Sequence, residues 1–329
     1  MTAVSQPVAR LSEAAVLSRP SRSLWADAWS RLIHNKAAIL GMVIIVLFAV
    51  VALFAPLLAP HNPLEINSGK EFLPPVWVKE SATGKSGEAQ FPLGTDTIGR
   101  DVLSRTIYGA RVSMIVGLTP VLIILVIGTV IGLVSGFSSP KVDNALMRFT
   151  DVIYAFPDLL FYIIMMIALR DSALGRMLNG LVLLFVALAI VSWVGIARLV
   201  RGQVLSLKNK EFIEASRCIG ASNNRIMARH ILPNCLSPLV VWMAFAIPRM
   251  IIAEAVLGYL GIGMRPATNP DAVFITSWGV SLLEGQTAIN AQPWLLLAPA
   301  ICVALVVMAF TFVGDGLRDA LDPRMRGTM

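Results

Sequence analysis

Six long apolar runs, separated by polar stretches of very unequal length, organise this chain. They cover 37–58, 114–134, 152–169, 180–197, 238–257 and 294–313. A helix needs roughly 17–25 residues to cross about 30 Å of hydrocarbon, and each run is that long. Two are interrupted, one by Pro157 and Asp158 and one by Ser192 and Trp193. Both are still predicted as helices, because lipid offers an unpaired backbone group no other partner. The pattern therefore predicts an all-α polytopic membrane protein with six transmembrane helices, and an even count places both termini on one side. It divides the chain into an N-terminal segment 1–36, a first helix 37–58 and a loop 59–113. A helical core 114–313 follows, holding a polar insert at 198–233, and then a tail 314–329.

Basic residues orient these pieces. The N-terminal segment holds Arg10, Arg19, Arg22, Arg31 and Lys36, and the 198–233 insert holds seven more Lys and Arg. By the positive-inside rule both termini and the insert are cytoplasmic, and the 59–113 loop lies outside. Before the first span, Leu24, Trp25, Ala28, Trp29, Leu32 and Ile33 recur at helical spacing among Arg and Asp. That predicts an amphipathic helix in the inner headgroup region, preceded by a plain polar tail over 1–20. In the second span Gly128, Gly132 and Gly136 share one helical face, a pattern that lets two membrane helices approach closely, within this chain or with another.

Composition narrows the class. With 56% hydrophobic and 14% charged residues, a chain of 329 residues would expose far more apolar surface than a soluble monomer tolerates. The net charge of +7 is spread over the ends of the apolar runs, which argues against a nucleic-acid partner. Cys218, Cys235 and Cys302 are too few and too scattered for a disulfide framework or a metal site and read as small apolar fillers. The first apolar run is too long for a signal-peptide core, so it is expected to remain as an anchor.

The insert carries the most specific chemistry. Residues 210–219 offer Phe212, Ile213, Ala215 and Ile219 as one apolar helical face. Gly220 suits a left-handed residue closing that helix. Ser222 is placed to cap a second helix running to Arg229, with Arg225 and Arg229 on one side, and Pro233 is expected to stop it. Two short helices at an angle make a knob that can fill a groove; the plainer alternative is a solvated basic loop resting on anionic headgroups. The order Glu214-Ala215-Ser216, Gly220-Ala221, Leu232-Pro233 resembles the EAA loop of ABC-importer permeases, the element that contacts their ATPases. Ser216 stands where that pattern has a second Ala, and His230 where it has Ile.

Four further stretches, at 92–113, 142–160, 254–279 and 314–326, resemble in order the second permease subunit of dipeptide/oligopeptide ABC importers. The third carries an insertion around 271–275, and 64–91 matches poorly. The resemblance implies a type I importer fold in the bacterial cytoplasmic (inner) membrane and a homologous permease as partner. It also implies two ATPases that bind the ATP and Mg, and an extracytoplasmic substrate-binding protein. It implies no catalytic residue, cofactor or metal in this chain. Di- and oligopeptides are the leading substrates, with metal chelates, glutathione and oligosaccharides as alternatives inside the same family.

Rival chemistries find less support in the residues. Thr83-Gly84-Lys85-Ser86 imitates a nucleotide-binding loop, but Lys79 occupies the position of its first glycine and no apolar strand precedes it. His34, His61 and His230 lie in three separate segments, without metallopeptidase spacing, and Asp151 and Asp158 lack a facing pair elsewhere. A stand-alone ion-coupled carrier is the more serious alternative, because Arg249 and Glu254 put charge in the fifth span, where it is costly and commonly functional. The two are five residues apart and out of phase on one helix, so they are expected to line a path or gate separately.

Overall fold

The computed structural model describes residues 24–81, 83–269 and 272–322; Arg10, Arg19, Arg22 and the last residues of the 314–326 stretch lie outside it. The described residues form helices and connecting loops, with one isolated antiparallel bridge between Thr95 and Asp101. Helix α1 (Leu24–Leu32) precedes α2 (Lys36–Leu53), whose first turn is capped by the Asn35 carboxamide oxygen accepting from the amides of Ala37 and Ala38 at 3.0 and 3.2 Å. A short turn, α3 (Ala55–Leu58), ends the first predicted span. The amphipathic face expected on α1 is divided. Ala28 and Leu32 pack on Ala38 and Ala320, whereas Trp25, Trp29 and Ile33 face outward.

Helix α4 (Val102–Phe137) starts well before the predicted 114, since Ser104, Arg105 and Ser113 are buried against other parts of the chain instead of facing water. The next predicted span, 152–169, is not one helix. It is α5 (Pro140–Tyr154) and α6 (Asp158–Ala168), whose axes differ by 78°. Pro157 supplies no amide hydrogen and disfavours helical geometry at Phe156, so the backbone breaks there despite the apolar surroundings. Alone, α6 is about 16 Å long and too short to cross a bilayer. Among the described residues, five helices are long and apolar enough to do so, or six if this bent pair is one span.

A short α7 (Ala173–Arg176) leads into α8 (Leu181–Leu207), which packs along α4. There the glycine row matters. A Cβ at Gly128 would lie 2.4 Å from Ile196, one at Gly132 2.6 Å from the Ala197 carbonyl, and one at Gly136 2.7 Å from Val204. The close partner is thus another helix of this chain. Helix α9 (Glu211–Cys218), α10 (Asn223–Ile226) and a π-helical turn (Met227–Ile231) make up the insert and join α11 (Leu232–Tyr259). Then come α12 (Trp278–Thr287), which the apolar pattern did not announce, and α13 (Trp294–Leu321). The core lies between α4, α8 and α11, while the outer faces of α2 and α4 expose Leu40, Val43, Leu47, Leu118 and Val126, as lipid-facing helices do. One end of the bundle carries the 59–101 loop and α12; the other carries the insert, α1 and the end of α13.

Candidate functional site

At the insert end, α9 is closed by a left-handed glycine. Gly220 has φ +81°, its amide donates to the Arg217 carbonyl at 2.9 Å, and the Ala221 amide donates to Ser216 at 3.0 Å. These two bonds are the Schellman arrangement, which satisfies carbonyls left free at a helix end. No atom lies within 4 Å of where a Gly220 Cβ would sit, so the requirement for glycine is one of backbone conformation alone. Ile213 and Ser216 face inward, with Ile226, Ile231 and Cys235 buried in the same core cluster as Ile213, and the Ser216 hydroxyl donates to the Phe212 carbonyl at 2.8 Å.

Three expectations for this insert are corrected. The apolar face is split: only Ile213 turns inward, whereas Phe212 (43% exposed), Ala215 and Ile219 (86% exposed) share an outer side three and four residues apart. Ser222 precedes α10 in extended conformation, yet its side chain makes no capping bond. Pro233 does not stop the second helix. The π turn takes up the missing amide, and helical backbone runs without interruption from Asn223 to Tyr259, 37 residues. Glu214, Gly220, Arg225 and Pro233 are exposed, and Ala221 and Leu232 half-buried.

A charged collar ties the insert to the bundle. Arg201 makes two bonds to Asp143 on α5, at 2.6 and 2.7 Å, and Ser135 also donates to Asp143. Arg198 pairs with Asp151 at 2.7 Å and lies 4.3 Å from the Tyr154 ring centroid. Lys208 donates to the Gly136 carbonyl at 3.2 Å, and the Arg217 guanidinium sits 5.7 Å from the Phe137 ring.

Beside the collar runs a crevice of about 850 Å³, lined by Leu199 and Gln203 of α8, by one face of α11 and by Arg31 and Arg318. On α11, Asn234, Pro238, Val241, Phe245 and Arg249 recur at helical spacing along it. Glu254 lies elsewhere. Its carboxylate is fully buried and accepts from the Ser113 hydroxyl at 3.2 Å, under the start of α12. A Cβ at Gly279 would lie 2.8 Å from its Oε1. The two charges grouped by sequence therefore face different compartments of the fold.

Sequence reasoning missed a second cluster, at the loop end. Arg100 donates to Asp96 at 2.6 Å and to Glu284 of α12 at 3.0 Å, and Arg105, 3% exposed, donates to Glu284 at 2.5 Å. Burial works against the charged form of Arg100, but the Glu284 and Asp96 carboxylates outweigh it and leave its pKa above the ordinary value. Asp101 caps α4 by accepting from the Ser104 amide at 3.0 Å and takes the Ser104 hydroxyl at 2.5 Å, while the His61 ring stacks on Phe91. The available signal was the density of Asp and Arg in 96–105, beside Gly94 and Gly99, whose positive φ brings them against Leu73 and Asn67. Lys85 of the imitation nucleotide loop donates to the Glu71 carbonyl at 2.5 Å.

Comparison with known proteins gives consistent matches. The family model described as "Binding-protein-dependent transport system inner membrane component" matches residues 128–327, and "N-terminal TM domain of oligopeptide transport permease C" matches 23–75. The oligopeptide transport system permease OppC of Bacillus subtilis is 38% identical over 318 residues, covering 97% of this chain and 95% of that one. The dipeptide permease DppC of the same organism is 38% identical over 315 residues, covering 95% and 90%. OppC of Escherichia coli K12 is 38% identical over 305 residues, covering 93% of each. A chain of the inward-facing MetNI methionine ABC transporter superposes with a TM-score of 0.51 at 19% identity, covering 67% of this chain and 97% of that one, a likeness of fold.

Proposed function

The chain belongs to the binding-protein-dependent transport system inner membrane components, and on that premise we propose that it is one of two homologous permeases lining the path of a peptide importer. In this reading the insert faces the cytoplasm, both termini are cytoplasmic, and the protein lies in a bacterial inner membrane. Two ATPases dock on the paired inserts and bind the ATP and Mg; this chain holds no nucleotide site or cofactor of its own. A binding protein on the far side delivers the substrate. Peptides are favoured because the similar full-length permeases are named for oligopeptide and dipeptide transport.

The observation that carries the reading is the outer side of α9. Ala215 and Ile219 are exposed beside Phe212, whose ring tilts toward His230 at 6.5 Å between centroids, on a helix held from beneath by Ile213, at the place where EAA spacing falls. An apolar stripe on a firmly anchored knob is built to be covered by a groove. Because α10 continues as helix into α11, displacement of the knob is passed directly to the face that lines the crevice, a rigid-element route to alternating access. The test is Ile219→Asp in the assembled importer. Its side chain contacts little of this chain, so membrane accumulation should stay normal while co-purification of the ATPases falls at least tenfold. Unchanged ATPase retention and uptake would remove α9 from the docking surface.

A further inference from the structure

The crevice presents groups that the docking role does not use. From Asn234 to Arg249 is 15 residues, about 22 Å of helix rise. Along that length Pro238, Val241, Trp242 and Phe245 make an apolar wall, which Gln203 and Ser237 interrupt with an amide and a hydroxyl. Asn234 is already engaged, since its side-chain amide donates to the His230 carbonyl at 2.6 Å. At the inner limit stands Arg249, exposed, with no hydrogen bond or ion pair among the described residues. A guanidinium at membrane depth is costly, and in such positions it pairs with something or lines a wet path.

The mouth of the crevice is where the chain's own N-terminal segment begins. Asp27 and Arg31 of α1 line that mouth, and Leu24 starts α1 less than one turn before Asp27. Among the 23 residues that precede Leu24, Glu13 is the one acidic residue, and it is followed directly by the apolar run Ala14-Ala15-Val16-Leu17. The 11 residues from Glu13 to Leu24 span up to about 36 Å when extended, enough to carry this carboxylate the length of the crevice to Arg249. Segment and crevice correspond in kind and in order. The apolar run meets the apolar wall, one carboxylate meets one guanidinium at the inner limit, and backbone amides and carbonyls meet Gln203 and Ser237. A lipid acyl chain would cover the wall and leave all three polar groups unpaired, and that favours a polypeptide occupant.

We propose that the N-terminal segment seats in this crevice, with Glu13 against Arg249 and residues 14–17 along the wall, and closes it until the segment is withdrawn. The seat itself needs only the crevice and the sequence. Its consequence, a transport path held shut by the permease's own terminus, rests on the permease reading.

The test uses the full chain in the membranes that hold it, freed of Cys218, Cys235 and Cys302 and carrying Val241→Cys. The rate of maleimide labelling at that position reports whether the crevice is covered. Removing residues 2–20 leaves every described residue in place and should raise the rate at least tenfold. The rate at Lys210→Cys, on the exposed insert, should stay the same. Glu13→Arg should raise the Val241→Cys rate at least threefold, and adding Arg249→Glu should return it toward the unaltered value. Equal rates with and without residues 2–20 overturn the proposal, whether or not the charge variants assemble. Two fast rates would mean an open crevice, and two slow ones a crevice covered by the second permease or by lipid. Acceleration on removal but not with Glu13→Arg overturns the pairing with Arg249. Labelling needs no transport, so a chain that supports no uptake would sink the permease reading and leave this result standing.

Discussion

The two ends of the bundle solve opposite problems. At the loop end, charged side chains are turned inward and satisfied: Asp96, Arg100, Arg105 and Glu284 close a network between the 59–101 loop and α12. At the insert end, apolar side chains are turned outward and left bare, Ile219 most of all. Buried charge that is fully paired holds a surface shut, because removing one partner strands the other in a poor solvent. Bare apolar surface on a rigid support does the reverse, since it is stable only when something covers it. The charged network of the loop end is closed within this chain; the outer side of α9 is half of a contact.

The largest effect should therefore come from the finished end. Glu284→Ala leaves Arg105 buried with Asp96 3.7 Å away and the Pro63 carbonyl at 3.4 Å, and should cost about 2–3 kcal/mol, since Glu284 itself is 27% exposed. Thermal unfolding followed by size-exclusion in detergent should show a lower midpoint, while ATPase binding at the far end persists. A normal midpoint would mean the cluster is ornamental and the contrast between the ends unfounded. Next comes Gly220→Val. There is room for the side chain, so the expense is the left-handed backbone alone, about 1–2 kcal/mol. It should misplace α9 and lower ATPase retention and uptake without lowering the amount of protein in the membrane. Normal retention and uptake would show that the Schellman closure is not what sets the knob. Smallest of all is Ser222→Ala. Its hydroxyl makes no capping bond, so the change should fall below about 0.5 kcal/mol, where a functioning N-cap would lose about 1. A loss near the larger figure in thermal unfolding would show that the hydroxyl caps α10 after all.

What could be read from the residues depended on how far away their partners were. The apolar runs located the spans because lipid demands them locally, and Gly220 declared its turn because glycine's freedom is a property of one residue. Pro157 signals a break as well, but the lack of any other partner for backbone in lipid points to a continuous helix there; α5, with Asp143 and Asp151 held by Arg201 and Arg198, shows a helix that leans on charge instead. Pro233 misled in the other direction, since a π turn upstream absorbs a missing amide that single-residue rules cannot see. The loop-end cluster was illegible because Glu284 lies 179 residues from Arg105. The short α12 was missed for a related reason: it is held by Ser277 capping Val280 at 3.1 Å and by Trp278 reaching the Thr106 carbonyl at 2.9 Å, contacts with no apolar period.

The glycine row between α4 and α8 has a consequence for which parts of the molecule can change shape. A contact made by Gly128, Gly132 and Gly136 has no rotamers on one of its sides, and so almost no side-chain entropy to lose or to redistribute. Such a joint has a single setting: it cannot slide into a second arrangement by re-sorting side chains, as joints between larger residues do. Helices α4 and α8 therefore form the stator of the molecule. A looser seam is the one between α6 and α8, where Tyr162 and Ser192 meet through rotatable side chains, their hydroxyl oxygens 2.8 Å apart.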